Sequence, residues 1–165
     1  MAEIDDRLLN VNQHGVLKIP TEIWLAMLFL LRYWVVSLFA VASILSNQSD
    51  ALFLFGDTFS WAIFAAEGPC ALAFWVCIHR SPEAPPWIRK LWPFARSLMA
   101  STALLHLLYL AWHLWTTAYW SRWPELFLAS CSLIDITIVY ALYASRYVAT
   151  VFAEFPPAAK PGTAR

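Results

Sequence analysis

Charged side chains are scarce in this sequence. Asp, Glu, Lys and Arg make up 13% of the 165 residues, about half the share usual in soluble domains. Basic and acidic residues number 11 each, so the chain lacks the basic excess of a nucleic-acid-binding protein, and we expect no nucleic acid partner. With 61% hydrophobic residues, the composition excludes an ordinary soluble domain and indicates a single integral membrane domain.

Catalytic and cofactor motifs are also missing. The sequence contains no phosphate-binding glycine loop, no H-E-x-x-H zinc motif and no nucleophile elbow. It has no C-x-x-C pair, and Cys70, Cys77 and Cys131 all lie in apolar stretches, where they are predicted to be small apolar core residues. We therefore expect no enzymatic activity, no metal and no cofactor.

Four apolar windows are each close to the ~20 residues that cross a bilayer as a helix. They cover Ile23–Leu45, Thr58–Ile78, Ser97–Tyr119 and Leu126–Ser145. Because backbone groups in lipid must be paired within their own segment, each window is predicted to be helical. The predicted fold is all-α, a four-helix transmembrane bundle over residues 21–148. A short segment (1–20) precedes it, and a Pro-rich tail (149–165) follows, with disorder predicted from Phe155 to Arg165.

The distribution of basic residues predicts how the bundle is oriented. Nine of them lie in the N-terminal segment, the loop between the second and third windows, and the C-terminal end: Arg7, Lys18, Arg80, Arg89, Lys90, Arg96, Arg146, Lys160 and Arg165. The two opposite loops contain Arg122 alone. Since cytoplasmic loops carry the excess of Lys and Arg, both termini and the middle loop are predicted to be cytoplasmic.

Tryptophans mark the predicted membrane surfaces. Their rings favour the headgroup level, and five lie at or near the window ends as predicted interfacial anchors: Trp24, Trp87, Trp92, Trp120 and Trp123. The loop Pro82–Arg96 mixes aromatic and basic residues, so it is predicted to lie along the inner membrane surface. It would act there as a plain anchor or as a docking site for a partner.

Each window contains an ionisable residue near its middle. These are Arg32, Glu67, His106 and Asp135. At 1.5 Å of rise per residue, all four lie roughly 13–15 Å into a hydrocarbon core about 30 Å thick. Because an isolated charge at that depth costs at least ~2.5–3.5 kcal/mol, we expect the four side chains to pack together.

Two interpretations of this group are open. It either fixes the register of the helices as a structural clasp, or handles a proton, an ion or a small polar substrate. Its charges leave one excess negative charge if His106 is neutral. That excess disappears if one carboxylate is protonated or if His106 is protonated, and the sequence does not decide between the two.

Two further features flank the polar residues. Gly68 and Pro69 follow Glu67, and proline removes a helical hydrogen bond, so a kink is predicted there. His113 lies seven residues after His106 and therefore on the same helix face. Haem ligation would need a histidine on a facing helix, and the other three windows have none. We expect both rings to make hydrogen bonds between helices.

Three stretches resemble a known family. They are Gly15–Pro20 running into Trp24 and Phe29–Trp34, then Gly68–Pro69, and finally Asp135 with Tyr140, Tyr143, Ser145, Arg146 and Val151–Pro156. Together they are similar to the YfeZ-like bacterial inner-membrane proteins, a domain family of unknown function. The resemblance spans about residues 14–157. It implies four spans and a location in the bacterial inner membrane, and it supplies no activity.

The sequence thus favours a non-enzymatic accessory, assembly or structural protein of the membrane. Its expected partners are the lipid bilayer and other membrane proteins or further copies of itself. The alternative is a small oligomeric transporter or channel subunit. In that case Glu67 and Asp135 would bind a cation or proton, Arg32 would tune them and His106 would relay protons.

Overall fold

The computed structural model describes residue 11 and residues 15–45, 61–116 and 122–157. In this part of the chain the regular structure is helical, and β pairing is limited to one isolated bridge between Val11 and Leu17. The helices are α1 (Thr21–Leu30), α2 (Arg32–Leu45), α3 (Trp61–Ala66), α4 (Gly68–Ile78), α5 (Pro86–Leu91), a 3₁₀ turn (Trp92–Phe94), α6 (Ala95–Thr116), α7 (Arg122–Ala144) and α8 (Arg146–Ala153).

Three helical stretches among the described residues are long and apolar enough to cross a membrane. They are Trp61–Ile78, Pro86–Thr116 and Leu126–Ala144. The pair of α1 and the start of α2 makes a fourth if it counts as a single broken span. An all-helical chain with three to four such stretches fits a membrane protein, while the orientation of the chain stays a prediction.

The first window is two helices and not the single helix predicted over Ile23–Leu45. α1 ends at Leu30, and the stretch Arg32–Phe39 of α2 leaves it at an angle of 68°. No proline causes this break. In a continuous helix the amides of Tyr33 and Trp34 would donate to the carbonyl oxygens one turn earlier. The bend moves the two amides away from those oxygens. Such amides must find other partners inside a membrane.

The second window is broken at Glu67, between α3 and α4. Pro69 lies in the first turn of α4, where its missing amide hydrogen does least harm. Gly68 has open space around the position of a Cβ atom. Pro69 therefore accounts for the break, and packing does not require a glycine at position 68.

α6 is the central helix of the fold. It packs most extensively against α4 and α7, and it also contacts α1 and α3. Its buried face consists of Ala95, Met99, Thr102, Ala103 and His106. The small residues on that face let the neighbouring helices approach closely, as is usual for helices packed in membranes.

A terminal clamp joins the two ends of the described chain. We use this name for Leu17, Arg80, Arg89 and the stretch 154–156. The guanidinium of Arg80 donates to the carbonyl oxygens of Leu17 at 2.6 Å and Glu154 at 2.8 Å. The guanidinium of Arg89 donates to the carbonyl oxygen of Pro156 at 2.7 Å. Burial lowers the pKa of Arg80, which still leaves the side chain charged at neutral pH.

The start of the tail is ordered and not disordered as predicted for Phe155–Arg165. Arg89 stacks on Phe155 at 4.8 Å, and Pro156 is fully buried. The disorder was predicted from the prolines and the glycine of the tail. Its first residues, Phe155 and Pro156, are apolar and pack in the terminal clamp. Residues 158–165 lie outside the described part.

The predicted interfacial tryptophans take different places. Trp87 is 46% exposed, whereas Trp92 is 1% exposed and is therefore not an anchor. Trp92 is a core residue because Arg80 stacks on its ring at 4.5 Å and Phe152 packs beside it at 5.2 Å. Trp24 is half-buried and meets Phe74 edge-on at 5.7 Å. Trp120 and the side chain of Trp123 lie outside the described residues.

Candidate functional site

Four ionisable side chains meet where the two broken windows face α6 and α7. Arg32 begins α2, Glu67 lies between α3 and α4, His106 comes from α6 and Asp135 from α7. We call these four residues the polar cluster. Glu67 and Asp135 are fully buried and His106 is 3% exposed, so the group is almost closed to its surroundings.

Arg32 and Asp135 form the strongest pair of the cluster. Nη1 and Nη2 of Arg32 donate to Oδ1 and Oδ2 of Asp135, both at 3.1 Å. A fork of two parallel charge-assisted bonds fixes both position and orientation. Nη1 also donates to the carbonyl oxygen of Phe29 at 3.3 Å, so Arg32 satisfies a carbonyl that the break after α1 leaves open.

Glu67 caps the other side of the same break. Its Oε1 accepts from the amide of Tyr33 and its Oε2 from the amide of Trp34, both at 3.0 Å. These are the two amides that lost their helical partners at the bend. A carboxylate here also complements the positive end of the α2 dipole. The two charges thus replace the missing backbone hydrogen bonds of the first window.

His106 lies between the two carboxylates. Its Nδ1 is 3.3 Å from Oδ2 of Asp135, and its Nε2 is 3.6 Å from Oε1 of Glu67. Both nitrogens are buried, and neither meets the geometry of a hydrogen bond. The expected hydrogen bonds between helices are therefore not formed by His106, whose ring lies between an oxygen of Asp135 and an oxygen of Glu67.

His113 is not part of the cluster. It lies in the last turn of α6, and its ring stacks on Tyr109 of the same helix with centroids 6.2 Å apart. Two turns along α6 separate it from His106. The same-face spacing of the two histidines thus does not make them one site.

Thr102 supports the cluster and was not singled out from the sequence. Its Oγ1 accepts from the amide of Cys70 at 3.0 Å, next to Pro69 in the first turn of α4. The hydroxyl thereby satisfies an amide at the second break. Thr102 precedes His106 by four residues and therefore lies on the same face of α6. This one-turn spacing is the sequence signal from which Thr102 could have been found.

A groove in the described part of the chain lies away from the polar cluster. A half-open groove of about 350 Å³ lies between α1 and the junction of α7 and α8, and its wall is mostly apolar. Its lining includes Ile23, Ala26, Ile138, Ala141 and Val148, with Glu22 and Tyr147 also present. None of the four cluster residues lines it. The polar cluster therefore does not contribute to this groove.

The chemistry of the cluster is that of internal pairing. In residues 15–45, 61–116 and 122–157, no three His, Cys, Asp or Glu side chains are arranged to hold a metal ion. Cys70, Cys77 and Cys131 are buried free thiols. Arg32 and Asp135 are hydrogen-bonded to each other, and Glu67 is hydrogen-bonded to the backbone amides of the broken first window.

The comparison with protein families decides membership. Residues 8–154 match the family described as "Protein of unknown function (DUF2919)". The chain belongs to this family. The match covers α1 to α8 and the whole polar cluster, and its description states no activity. The narrower YfeZ-like resemblance stays a prediction. Searches of curated proteins and of solved structures gave no match.

Proposed function

We propose that this DUF2919 protein is a non-enzymatic accessory, assembly or structural component of a membrane. In this proposal it binds other membrane proteins, and the polar cluster fixes the packing of its own helices. The observation that carries the proposal is that the charges are paired internally. Both carboxylates are fully buried, and each uses both oxygens to accept from α2 or from Arg32.

The proposed location is the bacterial inner membrane, with both termini in the cytoplasm. The apolar stretches support a membrane location, and the YfeZ-like resemblance supports the bacterial inner membrane. The nine-to-one distribution of basic residues supports cytoplasmic termini. On that orientation the terminal clamp lies at the cytoplasmic end of the bundle.

The groove beside α1 supports a binding role. No residue of the central helix lines its half-open apolar wall, and Ala26 and Ala141 are among its lining residues. Small residues allow a second backbone to approach closely within a membrane. We therefore assign the groove to a transmembrane helix of another membrane protein.

Photo-crosslinking in intact cells tests this assignment. A photoreactive residue at Ala141 should give a discrete crosslinked protein of fixed mass. The matched control is Leu108 on α6, which is 57% exposed and does not line the groove. A tagged second copy separates self-association from another partner. Equal products at both positions, or none at Ala141, would overturn the assignment.

A second candidate is a small transporter or channel subunit that uses the same cluster. One observation favours it: the side chain of Arg32 is 16% exposed, so the cluster is open at one point. If water enters there, Glu67 and Asp135 would bind a proton or cation from an aqueous path.

Cysteine labelling separates the two candidates. Cys70 and Cys131 lie one helical turn from Glu67 and Asp135, and both are buried free thiols. Variants that keep one of these cysteines, and a control that keeps only Cys77, are treated with a water-soluble maleimide in intact membranes. Labelling of Cys70 or Cys131 supports transport. Labelling only after denaturation supports the accessory role.

A further inference from the structure

The polar cluster contains one buried side chain that lacks hydrogen-bond partners. The side chain of His106 is 2% exposed, and neither of its ring nitrogens has a partner. Each nitrogen instead points toward a carboxylate oxygen, at 3.3 Å for Asp135 and 3.6 Å for Glu67. A neutral imidazole has one N–H and one bare nitrogen. One carboxylate would then face a lone pair.

The hydrogen-bond donors around the two carboxylates suit their ionised forms. Both oxygens of Glu67 accept backbone amides, and both oxygens of Asp135 accept the guanidinium of Arg32. A protonated carboxyl group would bring an O–H donor among these donors. It would also give up the charge-assisted strength of the bonds it receives. A proton on Glu67 or Asp135 therefore fits this geometry worse than a proton on His106.

The charge count points the same way. Arg32 contributes one positive charge, and Glu67 and Asp135 contribute two negative charges. An uncompensated charge inside a membrane is costly. One proton on His106 makes the four residues neutral, and an N–H then faces each carboxylate, at nitrogen–oxygen distances of 3.3 Å for Asp135 and 3.6 Å for Glu67.

The other groups near His106 do not change this count. The ring of Tyr33 on α2 meets the imidazole edge-on with centroids 6.3 Å apart. Thr102 lies one turn earlier on α6, while Cys70 and Cys131 are thiols on α4 and α7. Hydroxyl, phenol and thiol groups are uncharged in their ordinary state at neutral pH.

We propose that the polar cluster is a proton-binding site, with one proton held on His106 between Glu67 and Asp135. The imidazolium on α6 then lies between Glu67 of the second window and Asp135 of α7. Arg32 joins α2 to α7 through the same Asp135. The inference rests on the clasp role given to the cluster in the proposed function. It adds the proton as the ligand that completes the clasp.

Nitrogen NMR of the histidine rings tests the site. The full chain carries ¹⁵N-histidine in lipid nanodiscs at pH 7, and His106→Gln assigns the His106 signals among the four histidines. The expected result is the imidazolium pattern, with both ring nitrogens protonated. In Glu67→Gln the cluster loses one negative charge, so His106 should change to a neutral ring. His113 is the control, and its signals should not change.

A neutral His106 in the unmodified protein would overturn the proposal, as would an imidazolium that persists in Glu67→Gln. Should Glu67→Gln fail to fold, infrared spectra of the unmodified protein with ¹³C-labelled Glu and Asp decide the matter. We expect no infrared band of a buried protonated carboxyl group. Such a band would contradict the assignment. The clasp role is tested separately by unfolding measurements, so the two can fail independently.

Discussion

Replacing Glu67 by alanine should destabilise the protein by withdrawing the cap from the first broken window. The carboxylate accepts the amides of Tyr33 and Trp34 at 3.0 Å each. A methyl group at this position accepts nothing, and the site is fully buried. Two backbone donors would be left without partners inside the membrane, where water cannot replace the carboxylate.

The magnitude follows from the number of donors left open. Each unsatisfied buried donor costs about 1–3 kcal/mol, so Glu67→Ala should lower the free energy of unfolding by about 2–6 kcal/mol. Glu67→Gln keeps one acceptor oxygen for one of the two amides, so it should lose about half as much. Glu22→Ala is the matched control, because Glu22 is exposed and exposed positions usually change stability by less than about 0.5 kcal/mol.

Unfolding in mixed micelles and amide hydrogen exchange measure these effects together. Exchange at Tyr33 and Trp34 should speed up in Glu67→Ala, while amides in the middle of α6 should change only as far as global stability does. The reasoning is refuted if Glu67→Ala unfolds like Glu22→Ala, or if the two amides keep their protection.

Three further predictions concern other contacts. Thr102→Val removes the acceptor of the Cys70 amide and should lower the free energy of unfolding by about 1–3 kcal/mol. Thr102→Ser keeps a hydroxyl and should keep most of the stability. Equal losses for the two variants in chemical unfolding would contradict this prediction. Arg80→Lys should make the terminal clamp more sensitive to protease. The guanidinium of Arg80 donates to two carbonyl oxygens and also stacks on Trp92, which one ammonium group cannot do. Unchanged cleavage would count against this prediction. Burial raises the pKa of Tyr147, whose hydroxyl donates to the carbonyl oxygen of Lys18. Stability should therefore fall as the pH rises above the ordinary tyrosine pKa, and Tyr147→Phe should remove that part of the loss; an identical alkaline profile would refute the contribution.

The sequence was most informative where composition and depth left few choices. A chain with so little charge and with apolar windows near 20 residues could hardly form anything but helices in lipid. Arg32, Glu67, His106 and Asp135 were grouped because each lies near the middle of its window. The structure places the closest atoms of the neighbouring pairs 3.1–3.6 Å apart.

The break at Leu31 could not be predicted from local sequence. Phe29 to Trp34 contains neither proline nor glycine, and the usual signals for a break are therefore missing. The bend exists because Arg32 and Glu67 satisfy the backbone groups it opens. Those partners come from the helix itself and from a window 34 residues away, so only the tertiary structure reveals them.

The roles of Trp92 and the start of the tail depend on packing across the chain. A tryptophan beside basic residues normally lies at the headgroup level. Here Arg80 and Phe152 enclose it, and α8 brings Phe155 against Arg89. The contacts of Trp92 with Phe152 and of Arg89 with Phe155 have no local sequence signal, because the paired residues lie 60 or more positions apart.

The central claim is that the polar cluster holds the helices together. A double-mutant cycle with Arg32→Gln, Asp135→Asn and both changes together tests it most directly, with stability measured by unfolding in bicelles. Two bonds of 3.1 Å join the pair, and contacting residues in such networks show coupling energies of about 0.5–3 kcal/mol. We predict a favourable coupling in the upper half of that range. Additive losses, with no coupling between the two positions, would contradict the account.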